Sequence, residues 1–357
     1  MMRARILDLS VTVLPLAAVS VAVAATPAGA QQVERHTLSG DRVDVYDLVG
    51  QIDVVPGDGS DVVVEVRRRG RDAGRLRVET GPIDGRETLR VIFPGYDIVY
   101  PELGGRVRTT MRVNRDGTFR GGGGWRGEDV EVRRSGGGLE AWADLRILVP
   151  AGGRVEVNLG VGGAAVTGVD GAIRVDAASA SVSAERTRGA LSIDTGSGRV
   201  RVRDVQGDLH VGTGSGSIAV SGSRGGDVHL DTGSGSVDAT DVTASEVHID
   251  TGSGRITARR VAARNLHLDT GSGSIEVGLL SDVDDMRIDT GSGGVTLSIP
   301  DAFAADIEID TGSGSIDLDV PVRMMEMERS YFRGRIGDGG GQVDIDTGSG
   351  SVRVVRG

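Results

Sequence analysis

Seven copies of Asp-Thr-Gly-Ser-Gly recur along this chain, beginning at Asp194, Asp231, Asp250, Asp269, Asp289, Asp310 and Asp346. An eighth copy, at Thr213, has Gly212 in place of the aspartate. The steps from one threonine to the next are 18, 19, 19, 19, 20, 21 and 36 residues. A period in this range is the mark of a stacked repeat, in which no unit buries a core alone and each relies on its neighbours.

One repeat can be followed through from Val247. Val247 and Ile249 are apolar, and His248 and Asp250 alternate with them. That period of two predicts a strand with one buried face. Thr251-Gly252-Ser253-Gly254 then turns the chain. The two glycines are expected to supply positive φ at the turn. Ile256, Ala258 and Val261 resume the inward pattern, and Leu266 and Leu268 open the next unit. At ~3.3 Å per residue, 19 residues trace roughly 60 Å, which suits a flattened coil around an aliphatic strip. The predicted fold class is therefore all-β, a parallel β-solenoid (β-helix) with ~19-residue coils, an N-terminal β cap region and two insertions.

The expected organisation is a signal peptide over 1–30, N-terminal β coils or cap over 31–144, and solenoid repeats over 145–357. A glycine-rich insertion is expected at 97–142. A second, at 321–341, accounts for the 36-residue step and is expected to cover the last coil, because an open solenoid end exposes core and strand edges. About ten coils are expected from residue 145 onward. Aromatic residues are absent between 143 and 302, so this stretch must be packed with aliphatic side chains.

Arg3 and Arg5, the apolar stretch Val11 to Ala25 and the small-x-small site Ala28-Gly29-Ala30 read as a secretory signal. No transmembrane anchor is expected after its cleavage, and the mature chain is expected to be periplasmic, cell-surface or secreted. There is no cysteine, so disulfides, thiolate metal sites and a lipidated cysteine are excluded. All forty basic residues are arginine, and the net charge is −11. This acidity argues against general nucleic-acid binding.

The arrangement resembles the putative-adhesin β-solenoid family of bacterial envelope proteins, known chiefly as a domain of unknown function. Four features carry the resemblance: an opening Gly50-Gln51-Ile52-Asp53-Val54, a Leu145-Arg146-Ile147-Leu148-Val149-Pro150 lead-in, coils of the Ile-Asp-Thr-Gly-Ser-Gly-Ser-Val kind, and Gly337-Asp338-Gly339-Gly340-Gly341 before the final coil. They span residues ~40 to 357, and the glycine-rich insertion before Leu145 is the main departure. The resemblance implies an adhesin-like protein of the bacterial envelope. The repeated columns are read as a non-catalytic, exported binding or scaffold protein that presents Asp, Thr, Ser and His ladders to an envelope or extracellular polysaccharide or a surface protein.

Asp-Thr-Gly-Ser also surrounds the catalytic carboxylate of aspartic proteases, where two aspartates from two lobes share a proton. Seven closely spaced copies form a column instead, so no catalytic residues are assigned. The aspartates are expected to accept hydrogen bonds from turn N–H groups. Stacked like charges need hydration, hydrogen bonds or a cation, which raises Ca²⁺ as a candidate. His210, His229, His248 and His267 recur at steps of 19, each two residues before an Asp or Gly212. With Asp231, Asp250 and Asp269 they are the candidate metal ligands, for Zn²⁺, Ni²⁺ or Cu²⁺; an exposed ladder of stacked rings is the plainer reading. Arg67, Arg68, Arg69, Arg71, Arg75 and Arg77 form a basic cluster able to meet phosphates, or a solvated strand face. Gly122 to Gly127 fits a dinucleotide fingerprint by letters only, with no βαβ context. The alternative functions are a polysaccharide-acting β-helix enzyme, which would place carboxylates and arginine on a strand face, and a surface protein that binds metal through the His and Asp ladder.

Overall fold

Alternation of inward aliphatic and outward polar residues organises the strands. In Val228–Thr232, Val228, Leu230 and Thr232 are buried while His229 and Asp231 point away from the core. The computed structural model describes residues 33–103, 108–119 and 127–357. The expected signal sequence, Trp125 and most of the Gly122 to Gly127 segment lie outside the described residues.

Two long parallel ladders form the body. Along one, Val43, Val155, Ile173, Leu191, Leu209, Val228, Val247, Leu266 and Met286 are register partners in turn. Along the other run Ile52, Ala164, Val182, Val200, Ile218, Val237, Ile256, Ile275 and Val295. The chain passes from one ladder to the other and back, so the two enclose one strip of Val, Ile, Leu and Ala. The first ladder carries the histidines on its outer surface and is called the His face below. On the second, Arg186, Asp204, Asp241 and Arg260 have φ of 54°, 52°, 56° and 57°, with Gly222 at 72°. They follow one another by register and form a left-handed corner column.

The turn that joins the faces works differently from its sequence reading. None of the Thr-Gly-Ser-Gly glycines has a positive φ. Their constraint is crowding. A Cβ on Gly254 would lie 1.7 Å from the carbonyl oxygen of Gly235 in the preceding coil, and one on Gly273 would lie 1.7 Å from that of Gly254. Only a residue without a side chain lets the backbones approach so closely. The threonines fasten the turns. Thr251 is fully buried; its Oγ1 donates to Gly235 O at 3.0 Å and accepts from Gly254 N–H at 3.0 Å. Thr232, Thr270, Thr290 and Thr347 repeat the pair of bonds. Thus threonine, not aspartate, satisfies the turn N–H groups.

The N-terminal end is closed by antiparallel pairs: Val33–Leu38 with Val62–Arg69, Val62–Arg69 with Trp142–Val149, and Arg77–Ile83 with Arg86–Ile92. A small sheet of Asp97–Val99, Arg108–Val113 and Glu128–Arg133 packs outside the first coils. Its separate core holds Tyr46, Ile98, Tyr100, Phe119 and Val132, with Tyr46 and Phe119 edge-on at 5.8 Å. This is why the aromatic residues cluster early in the chain. Asp47 takes the inward position that threonine holds further along. It is fully buried, and burial pushes its carboxyl well above the usual carboxylate range.

The C-terminal end reverses the order implied by the sequence. The final segment does not form the outermost coil. Gly341–Thr347 lies between Asp285–Thr290 and Ala305–Thr311, and Val352–Arg356 lies between Val295–Ile299 and Ile316–Asp319. Burial accounts for the choice. Val343, Ile345, Val352 and Val354 are all buried in the inner position, whereas Ile316 and Leu318 are only half-buried. The hairpin of Val322–Met327 and Tyr331–Ile336 then covers the edge of Ala305–Thr311 through antiparallel pairing.

Two substitutions separate crowding from chain flexibility. Gly254→Ala should lower stability by about 3 kcal/mol or more, since the backbone must shift to admit the methyl. Gly74→Ala, where a Cβ meets nothing within 4 Å, should change it by less than about 0.5 kcal/mol. Chemical denaturation of both variants checks this; equal effects would contradict the crowding account. Thr251→Val, which leaves a buried carbonyl and N–H without their partner, should cost about 1–3 kcal/mol by the same measurement.

Candidate functional site

Parallel pairing in register converts the sequence repeat into columns. On the His face the outward positions run Ser192, His210, His229, His248, His267, Arg287 and then Asp344 and Glu308. The neighbouring column runs Asp176, Asp194, Gly212, Asp231, Asp250, Asp269, Asp289, Asp346 and Asp310. All seven candidate ligands therefore stand on one surface.

The histidine rings stack along the ladder. His210 and His229 have centroids 5.0 Å apart at 11°, and His229 and His248 are 4.7 Å apart at 3°. His267 turns edge-on, 6.0 Å from His248 at 78°, and its Nε2 lies 3.2 Å from Asp285 Oδ2. Imidazole lone pairs lie in the ring plane, so parallel rings send them along parallel lines. Among the described residues, no three His, Asp or Glu side chains are grouped to hold an ion as they stand.

Electrostatics divides the two columns. Burial, then the neighbouring His248 and His210, holds the His229 imidazole below its ordinary value of 6.5. Burial, then the adjacent aspartates, raises the Asp289 and Asp346 carboxyls; Asp269 is raised by burial and then by Asp250. At these three positions burial and a neighbouring carboxylate one strand away both oppose ionisation.

The column breaks at Gly212, where the missing side chain leaves a notch. Asp194 leans into it: a Cβ on Gly212 would lie 2.7 Å from Asp194 Oδ1. Arg174 donates to Asp194 Oδ2 at 2.7 Å and to Ser192 Oγ at 3.2 Å, and His210 Nε2 is 3.7 Å from Asp194 Oδ1. The open groove here has a volume of about 620 Å³, with Asp176, Asp231 and Gly233 on its walls. The substitution of Gly212 within the Asp series was the visible sequence signal for this groove; the contribution of Arg174 had none. A cavity of about 510 Å³ beside the small sheet, lined by Phe93, Tyr96, Arg115 and Glu128 among others, gave no sequence signal either.

The basic cluster is largely paired internally. Arg68 meets Glu34 at 2.7 Å, Arg69 meets Asp144 at 2.9 Å, Arg71 meets Glu140 at 3.5 Å and Arg77 meets Glu79 at 3.4 Å.

The shifts fix the pH dependence by sign. His229 binds a proton less readily when folded, so its share of stability is complete above pH 6.5 and declines as pH falls below 6.5. The raised aspartates act oppositely: folding favours their protonated form, so their unfavourable share grows as pH rises above 3.8. NMR titration should place the His229 midpoint below 6.5, and His229→Gln should flatten the stability profile just below that pH. A midpoint at or above 6.5 would contradict the burial account.

Comparison with known proteins agrees with the architecture. Residues 175–355, just over half of the 357-residue chain, match the family model described as Toastrack DUF4097. No curated protein matches the chain. Two solved structures are similar. One, titled a putative cell adhesion protein from Clostridium sporogenes ATCC 15579, is 9% identical, with 91% of this chain and 99% of that chain covered and a TM-score of 0.23. The other, titled a putative adhesin from Bacteroides fragilis NCTC 9343, is 11% identical, with 92% and 99% covered and a TM-score of 0.32. Those scores describe loose superpositions, whereas the family match spans the paired ladders themselves. The chain belongs to the Toastrack DUF4097 family.

Proposed function

We propose that this protein is an exported, non-catalytic adhesin-like solenoid that binds a repeating envelope or extracellular ligand along its His face. The observation that carries this reading is the columnar surface itself: stacked imidazoles at 5.0 and 4.7 Å beside a line of carboxylates, each repeated once per coil. A polymer with its own regular repeat can meet several equivalent positions at once, and linked weak contacts add up to firm retention.

The column chemistry narrows the ligand class. Aspartates accept hydrogen bonds from hydroxyl groups, imidazoles accept or donate them, and the carboxylates repel polyanions. An uncharged or amine-bearing polysaccharide fits best, with a surface protein as the other partner class. The notch at Gly212 is the one break in the column and offers a terminus or branch of such a polymer a place to lodge. Export rests on the charged start, apolar run and cleavage-like Ala28-Gly29-Ala30. Among the described residues, no helix is long and apolar enough to cross a membrane.

The non-catalytic assignment follows from repetition. A reaction centre needs unlike groups converging on one point, while these columns carry like groups side by side. A polysaccharide-acting enzyme would instead have to work at the notch, where Arg174, Asp194 and His210 come together.

Retention of residues 31–357 on separated peptidoglycan, outer-membrane and exopolysaccharide fractions tests the reading. Saturable retention on one fraction is expected. Asp231→Asn with Asp250→Asn should weaken it roughly five- to tenfold, the equivalent of about one lost hydrogen bond. Absence of retention on every fraction would overturn the proposal.

A further inference from the structure

The solenoid finishes on an open strand. Val322–Met327 hydrogen-bonds to Tyr331–Ile336 on one side, and among the described residues no strand pairs with its other side. Among the described residues, three of the six exposed large hydrophobic side chains lie on it: Met324, Met325 and Met327, at 57%, 53% and 53% exposure. An edge of this kind, with free N–H and C=O groups beside uncovered methionines, is a template for another strand.

Its pairing register identifies the strand that fits. Val322 faces Ile336, Arg323 faces Arg335, Met324 faces Gly334, Glu326 faces Arg333 and Met327 faces Phe332. The register shifts between Met324 and Glu326, which leaves Met325 as a bulge. The bulge changes the phase of the strand. Val322, Met324 and Met327 share the side on which Phe332 and Ile336 are buried, and Arg323 and Glu326 share the other. Neither Arg323 nor Glu326 forms an ion pair among the described residues, and Arg323 stands opposite another arginine.

We infer that this edge pairs antiparallel with the same edge of a second copy, about a two-fold axis through Met324. An axis perpendicular to the sheet keeps each side chain on its own side, so partners must lie an even number of pairing steps apart. Arg323 and Glu326 are two steps apart because of the bulge, with Met324 midway. The axis therefore sets Arg323 opposite Glu326 of the second copy, twice, and Val322 opposite Met327 of the second copy, twice. Met324 meets its own counterpart. In an unbulged strand, Arg323 and Glu326 would fall on opposite sides and this match would be lost. Charges and bulges usually keep edges apart. Here they are self-complementary, and they select one register from the alternatives. The isologous contact closes as a dimer and does not propagate through this edge.

The same axis turns both His faces to one side and joins them in one sheet, which doubles the ligand-facing column and its avidity. The dimer does not depend on the ligand reading, and its failure would leave that reading standing.

Sedimentation of residues 31–357 over a range of concentrations should show a monomer–dimer equilibrium. Arg323→Glu or Glu326→Arg alone sets like charges opposite each other and should weaken the dimer tenfold or more. The double reversal, Arg323→Glu with Glu326→Arg, should restore it, which also shows that the single variants remain folded. Because the chain has no cysteine, Met324→Cys introduces a single thiol on the axis. Mild oxidation should link two copies there, while Leu280→Cys, at another exposed apolar position, should not link. A monomer at all concentrations, or a dimer unchanged by both single reversals, would overturn the inference.

Discussion

The close approach of backbones at the Thr-Gly-Ser-Gly turns is the constraint on which the remaining structure depends. Each second glycine lies so near the carbonyl of its counterpart that a methyl group would fall 1.6–1.9 Å from an oxygen. At that separation the buried threonine reaches both its own turn and the one below. Coil is thereby locked to coil at the corner, and the register of every strand leaving the corner follows. The aliphatic interior supplies most of the favourable free energy, as in other stacked repeats. The corner decides which residue lies above which.

Register is also what creates the outward surface. A one-residue slip would carry the histidines inward and the valines out. Held in place, His210, His229 and His248 stack as rings, and at Asp269, Asp289 and Asp346 burial, then a neighbouring aspartate of the column, raises the carboxyl's affinity for protons. That opposition is tolerated because the column faces solvent and because stability resides elsewhere. At Gly212 the line of carboxylates is interrupted, and Asp194 turns toward the gap.

Much of this was legible in the residues. Period-two alternation in segments such as Val247 to Asp250 gave the strands, and the ~19-residue recurrence gave parallel stacking and the His and Asp columns. The physical role of the turn was less accessible. Glycine is compatible with both positive φ and close approach, and only the geometry separates them; likewise Asp and Thr can both serve turn N–H groups, and burial gave the task to Thr. The swapped order at the C-terminal end was hidden for a related reason. Asp310 to Gly314 and Asp346 to Gly350 are identical, so the turn signal fits either position, and the choice rests on whether Val343, Ile345, Val352 and Val354 or Ile316 and Leu318 are better buried. The packing of Asp47, the small aromatic sheet and the Arg174–Asp194 contact depend on partners distant in sequence, for which no local pattern exists.

Amide hydrogen exchange at the corner tests the central claim most directly. The N–H groups of Gly235, Gly254, Gly273 and Gly293 donate to buried threonine hydroxyls, and those of Gly233, Gly252, Gly271 and Gly291 donate to threonine carbonyls of the preceding coil. If the corners hold the register, these turn amides will exchange as slowly as those of the flanking strands such as Val247 and Ile249, opening only with the coils themselves. Exchange at the rate of ordinary surface loops, with the strands still protected, would show that the corners follow the fold and do not set it.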